Sequence, residues 1–85
     1  LPRVGERVEH KGVIFEVVEV MEYTVTGTDR WYLIAYRIID RDYTSPVAHL
    51  PMRAREDFTE KVQAVIENYL QLKNRLIRPA RRVRR

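Results

Sequence analysis

The chain has 85 residues, no cysteine, and 16 Lys/Arg against 12 Asp/Glu, giving a formal net charge of +4. A chain this short makes one domain with a thin core, because it buries only roughly 60% of the surface it exposes when unfolded. The missing cysteine excludes disulfide staples, thiolate zinc sites and cysteine nucleophiles together. No stretch approaches the ~20 apolar residues of a membrane span. The opening Leu1-Pro2-Arg3-Val4-Gly5-Glu6 has no apolar run after a basic start, so the expected location is cytoplasmic. Gln and Asn total four while 33% of residues are charged, a balance that leans towards a thermophile, where ion-pair networks gain value.

Residues 4–10 read as a short strand, and Lys11-Gly12 as a turn. Residues 13–25 are rich in Val, Ile, Phe, Tyr and Thr, which suit a pleated surface. Alternation places Val13, Phe15 and Val17 on one face and then breaks. A β-bulge near Val17-Val18 is expected to return Val18 and Val20 to the core. Residues 26–30 form a polar loop. Residues 31–39 are apolar on both faces except at Arg37, which predicts a central strand or one with its second face covered by a helix. Pro46 and Pro51 punctuate the connector that follows, and Val47-Ala48-His49-Leu50 between them can form only an edge strand.

From about Arg55, apolar residues fall at Phe58, Val62, Val65, Ile66, Tyr69, Leu70, Leu72, Leu76 and Ile77. That spacing predicts an amphipathic helix. Glu56, Asp57 and Glu60 near its start and Lys73 and Arg75 near its end suit the helix macrodipole, and Pro79 stops it. About 20 residues at 1.5 Å each span about 30 Å, longer than one face of a small sheet. The expected fold class is α+β. A small antiparallel sheet of three to four strands, SH3-like or a meander, precedes one long C-terminal helix and a basic tail. Residues 1–77 are the sheet-plus-helix domain and 78–85 an Arg-rich extension.

Charge divides unevenly along this plan. Residues 1–72 hold nine Lys/Arg and all twelve Asp/Glu, whereas residues 73–85 hold seven Lys/Arg and no acid. Arg78-Pro79-Ala80-Arg81-Arg82-Val83-Arg84-Arg85 has almost nothing to bury and cannot fold alone. Guanidinium forks bind phosphate at two points and stack on exposed bases. Nucleic acid, RNA favoured over DNA, is therefore the expected partner. The expected contacts are Lys73, Arg75, Arg78, Arg81, Arg82, Arg84 and Arg85, with Arg30 and Arg37 as a secondary patch. The plainer reading is a solvated tail that aids solubility.

Trp31, Tyr32 and Tyr36 share one strand, with Tyr23 and Tyr43 nearby. Sheets that bind single strands stack bases on such residues, but in a thin core most of them are needed as filling. His10 and His49 are far apart and match no ligand spacing, so no metal and no cofactor is expected. Ser45 and His49 share a loop without an orienting group or oxyanion donors, and the three glycines are isolated turn residues rather than a phosphate loop. The chain reads as a non-enzyme.

The run Pro2-x-x-Gly5-Glu6-x-Val8-x-x-x-Gly12-x-x-Phe15-Glu16-Val17 resembles the opening hairpin of the domain attached to CorC-type transporters and of SH3-like modules. The resemblance covers under twenty residues, implies a hairpin there, and implies no function. More coarsely, a compact β body, one helix and an Arg-rich extension resemble accessory ribosomal proteins. The expected function is structural RNA binding in a ribosomal or other ribonucleoprotein assembly. The alternatives are a DNA-binding architectural or viral protein, or a protein-interaction module that packs on a subunit or a second copy through the helix Phe58–Ile77. No membrane partner is expected.

Overall fold

Three chain reversals and two one-residue irregularities set the architecture. The computed structural model of the protein describes residues 1–24, 26–27 and 29–77. Its elements are β1 (Arg7–His10), β2 (Val13–Thr24), β3 (Arg30–Asp40), β4 (Tyr43–Thr44) and β5 (Ala48–Met52), a 3-10 turn over Arg55–Asp57, and α1 (Phe58–Ile77). β1, β2 and β3 pair antiparallel in chain order, and β4 and β5 lie one after the other along the far edge of β3. The chain thus forms the expected antiparallel sheet followed by one C-terminal helix.

The first reversal is the Lys11-Gly12 turn between His10 and Val13, which pair directly. Both turn residues have positive φ, 54° and 81°, the twist a two-residue hairpin requires. Before β1 the backbone keeps contact with β2 without ladder geometry: the Gly5 N–H donates to the Val17 carbonyl at 2.8 Å, and the Val17 N–H to the Glu6 carbonyl at 2.9 Å. Regular pairing therefore starts at Arg7, three residues later than the sequence suggests.

The expected bulge in β2 is present. Val17 pairs with Tyr36 but Glu19 pairs with Ala35, so Val18 is the extra residue. Val13, Phe15 and Val17 face the core before the bulge, and Val20 packs against that core after it. Val18 itself corrects the expectation: it is half-buried and outside the core cluster, because the unpaired bulge residue is the one displaced from the ladder. A second irregularity separates β4 from β5. Ile39 pairs with Thr44 and Tyr36 with Ala48, which leaves one surplus residue around Pro46-Val47. Ser45 closes the gap by accepting the Ile38 N–H on its Oγ at 2.8 Å and donating its own N–H to the Ile38 carbonyl at 2.8 Å. Proline costs nothing there, since a bulge on an edge strand needs no ladder donor.

β3 is central, and its even-numbered residues meet the helix. Ile34 and Ile38 join Val13, Phe15, Val17, Met52, Phe58, Val62 and Ile66 in the core, with Tyr32 and Tyr36 packed against it. The two tyrosines share a face, as alternation requires, and that face is the covered one. Phe15 stacks on Tyr36 at 4.4 Å between ring centroids and meets the edge of Phe58 at 5.8 Å. The odd-numbered face, with Trp31, Leu33, Ala35, Arg37 and Ile39, points away from α1. None of the described helices is long and apolar enough to cross a membrane.

Phe58 is the first residue of α1 and the contact that joins helix to sheet. Phe58→Ala is expected to destabilise the domain by about 3–5 kcal/mol. That is a large part of the ~5–15 kcal/mol typical of whole domains. Urea unfolding followed by circular dichroism measures it. A loss below ~1 kcal/mol would show that the helix is not anchored there.

Candidate functional site

The residues expected to touch anion fall into three groups once placed. Arg30 and Arg37 are committed to acids on the neighbouring strand. Arg30 Nη1 lies 3.3 Å from Glu22 Oε2. Arg37 Nε lies 3.8 Å from Glu16 Oε1, close enough for charge attraction but not for a hydrogen bond, so this buried N–H has no hydrogen-bond partner among the described residues, while Arg7 holds Glu16 Oε2 through Nη2 at 3.1 Å. Seven positions apart on one strand, Arg30 and Arg37 are on opposite faces and about 23 Å from each other along β3. They do not form a shared patch, because the odd spacing sends them to different sides of the sheet.

Lys73 is held by the body. Its Nζ donates to Asp40 Oδ2 at 2.7 Å, and the Tyr69 hydroxyl donates to the same oxygen at 2.8 Å. The Arg41 N–H donates to Asp40 Oδ1 at 2.8 Å, so both carboxylate oxygens are bound. Tyr69 and Lys73 are one helical turn apart, and Asp40 ends β3, so the cluster pins the distal part of α1 to the end of the sheet. The Lys73 ammonium, with the Arg41 and Tyr69 donors, holds the Asp40 carboxyl down to about 2 from its ordinary 3.8. Burial, reinforced by the Asp40 charge, pushes the Tyr69 hydroxyl up to about 12.

The third group begins at Arg75. It is exposed and has no ion-pair partner among the described residues. Arg78, Arg81, Arg82, Arg84 and Arg85 lie outside the described residues.

Elsewhere the body neutralises itself in the same way. Arg55 grips Glu6 with Nη1 and Nη2 at 3.1 and 2.9 Å, which joins the segment before α1 to the N-terminal segment and lowers the Glu6 pKa. The Arg55 guanidinium also sits 4.9 Å above the Phe58 ring. Glu67 accepts from Lys11 Nζ at 2.8 Å and sits 2.8 Å from His10 Nε2. Arg53 pairs with Asp29 at 3.4 Å and lies 5.6 Å from the Trp31 ring centroid. Ser45 spends its hydroxyl on the bulge, accepting from Ile38 and donating to the Pro46 carbonyl at 2.9 Å. Among the described residues no group of three or more His, Asp or Glu is placed to hold a metal ion.

The Asp40–Tyr69–Lys73 cluster is not evident in the sequence, where Lys73 reads as part of the basic arm. A signal is nonetheless present: Lys73 continues the helix face of Phe58, Val62, Ile66 and Tyr69 that is turned towards the sheet, where an acid of the sheet can meet it. With this geometry in place, the chain matches no protein-family model, and no curated protein or solved structure is significantly similar to it.

The cluster gives a pH dependence of defined sign. The Asp40 pKa is lowered in the folded state, so its contribution is full above the ordinary carboxylate range and fades as pH falls towards 2. Asp40→Asn is expected to cost about 1–2 kcal/mol at neutral pH, a value reduced by the partial exposure of Lys73. The gap between wild type and variant narrows as pH is lowered from about 5 to about 2. Urea denaturation at a series of pH values measures the gap, and one that stays constant rules out the carboxylate as its source.

Proposed function

We propose that the protein is a non-enzymatic nucleic-acid-binding protein of the cytoplasm that engages RNA, in preference to DNA, through its arginine-rich C-terminal segment. The observation that carries this reading is the contrast in how positive charge is used. Of the nine Lys/Arg in residues 1–72, six (Arg7, Lys11, Arg30, Arg37, Arg53 and Arg55) are in ion pairs with acids of the body. Lys73 is paired as well. From Arg75 onward the sequence has six arginines and no acid. A polyanion gains little from cations whose charge is already met by carboxylates, and most from a segment that lacks them. The preference for RNA rests on the use of Arg rather than Lys, since guanidinium planes stack on unpaired bases as well as fork to phosphate. A structural place in a ribonucleoprotein particle fits a body whose own surface is net acidic.

The placement of Lys73 sharpens the expected contact set. Arg75→Ala is expected to lower the log–log salt slope of RNA binding by about 0.7, the amount by which one neutralised phosphate of a single strand steepens it. Lys73→Ala is expected to leave that slope unchanged while lowering stability. Removing residues 78–85 takes away five arginines and should reduce the slope by about 3–4. Fluorescence anisotropy with a single-stranded RNA across a salt series, with duplex DNA as competitor, reads all three. An unchanged affinity and slope after the truncation sinks the proposal, and preferential competition by duplex DNA replaces RNA with DNA as the ligand.

A further inference from the structure

The chain has four carboxamide side chains, Gln63, Asn68, Gln71 and Asn74, and all four are exposed on α1. In a chain of which 33% is charged, side chains of this kind are confined to one stretch of one helix. None of them makes a side-chain hydrogen bond among the described residues. Each can both donate and accept, and so can bind a sugar hydroxyl, a base edge or a phosphate oxygen.

Two of the amides fall in an acid-free stripe. Lys61, Ala64, Asn68, Gln71 and Arg75 follow one another at steps of three and four, so they share one side of α1. That side faces away from the sheet, which meets Phe58, Val62 and Ile66 instead. The stripe has a cation at each end, about 21 Å apart along the helix. Neither cation has an ion-pair partner among the described residues. The one acid between them in the sequence, Glu67, is turned to Lys11 Nζ and His10 Nε2, each 2.8 Å away. Apart from the Ala64 methyl the stripe offers no apolar side chain to bury. Its chemistry suits a strand of phosphates, sugars and bases better than a protein surface.

We propose that this stripe is a second RNA-contacting surface, which the sequence extends directly into the arginine-rich segment. Lys61 and Arg75 meet phosphates, Asn68 and Gln71 hydrogen-bond the sugar hydroxyls and base edges between them, and Ala64 leaves room for close approach. The inference rests on the nucleic-acid reading and adds a rigid, neutral contact to it. Fluorescence anisotropy of the full chain with a single-stranded RNA across a salt series tests it. Lys61→Ala is expected to lower the log–log salt slope by about 0.7. Arg3→Ala removes an exposed cation of the N-terminal segment that also lacks an ion-pair partner among the described residues, and is expected to leave the slope unchanged. Asn68→Ala combined with Gln71→Ala is expected to weaken binding about tenfold with an unchanged slope, because the amides carry no charge. Alanine is the better helix former at both positions, so the circular dichroism spectrum stays that of the wild type. If removal of residues 78–85 lowers the slope while Lys61→Ala and the amide double variant bind as the wild type does, the stripe is overturned and the reading of the C-terminal segment stands. An Arg3→Ala variant that loses as much slope as Lys61→Ala also overturns the stripe. A wild type that binds no RNA overturns both.

Discussion

The contact between Phe58 and Phe15 is the joint on which the rest of the fold depends. Both rings are fully buried, and they meet edge to face at 5.8 Å, with Tyr36 stacked on Phe15 as well. Phe15 stands at the middle of the first hairpin, Phe58 at the start of α1, and Tyr36 on the central strand. Three segments distant in sequence are thus fixed relative to one another by one aromatic cluster. A thin core has few such residues to use, so the helix is anchored at one end by rings and must be held at the other by something else. Asp40, Tyr69 and Lys73 do that. The helix is riveted twice, by apolar contact near its first turn and by a charged hydrogen-bond cluster near its last.

One helix covers one face of a sheet, and the two bulges decide which residues receive that cover. Without the extra residue at Val18, the second half of β2 would turn Glu19 inward and Val20 outward. With it, Val20 joins the face that α1 buries. The surplus residue around Pro46 does the same for the far edge, so that Leu50 and Met52 reach the core while a proline sits where no ladder donor is required. The bulges keep an imperfectly alternating sequence in phase with its single layer of cover.

These devices are unequally legible in the sequence. The helix is readable because its apolar period is long and unbroken, and the Lys11-Gly12 turn because few dipeptides accept positive φ at both positions. The β2 bulge is readable from the break at Val17-Val18, although which of the adjacent valines is displaced is not. The faces of β3 are hidden, since a strand apolar on both sides gives no phase of its own and takes it from its neighbours. The candidate site is hidden for a related reason. A basic residue in a sequence carries no sign of whether an acid awaits it in space. Glu16 stands 21 positions from Arg37 and Glu6 49 from Arg55, and only the folded chain brings these charges together. Lys73 is separable from the arginines that follow only through its place on the helix face turned towards the sheet.

The pairing of body charges also bears on what the end of the helix can do. A net-acidic body with loose cations would attract anions diffusely over its surface. Here the carboxylates hold most of those cations in fixed places, so the body offers little field to a polyanion and some repulsion. In the sequence, the arginines without acids among them begin just past the Asp40 clamp, at Arg75, where the helix leaves the cover of the sheet. Leu72 and Leu76 emerge at the same point, for the same geometric reason: α1 is longer than the face it covers. Extra helical length thus separates a basic end from an acidic body and exposes an apolar ridge beside the β3–β4 hairpin. If Lys73 did not clamp the helix to Asp40, the stacking of Tyr69 on Tyr43 beside it would lose its support. The clamp is therefore a positioning device for whatever the distal end of α1 contacts, although its own charge is fully used within the fold.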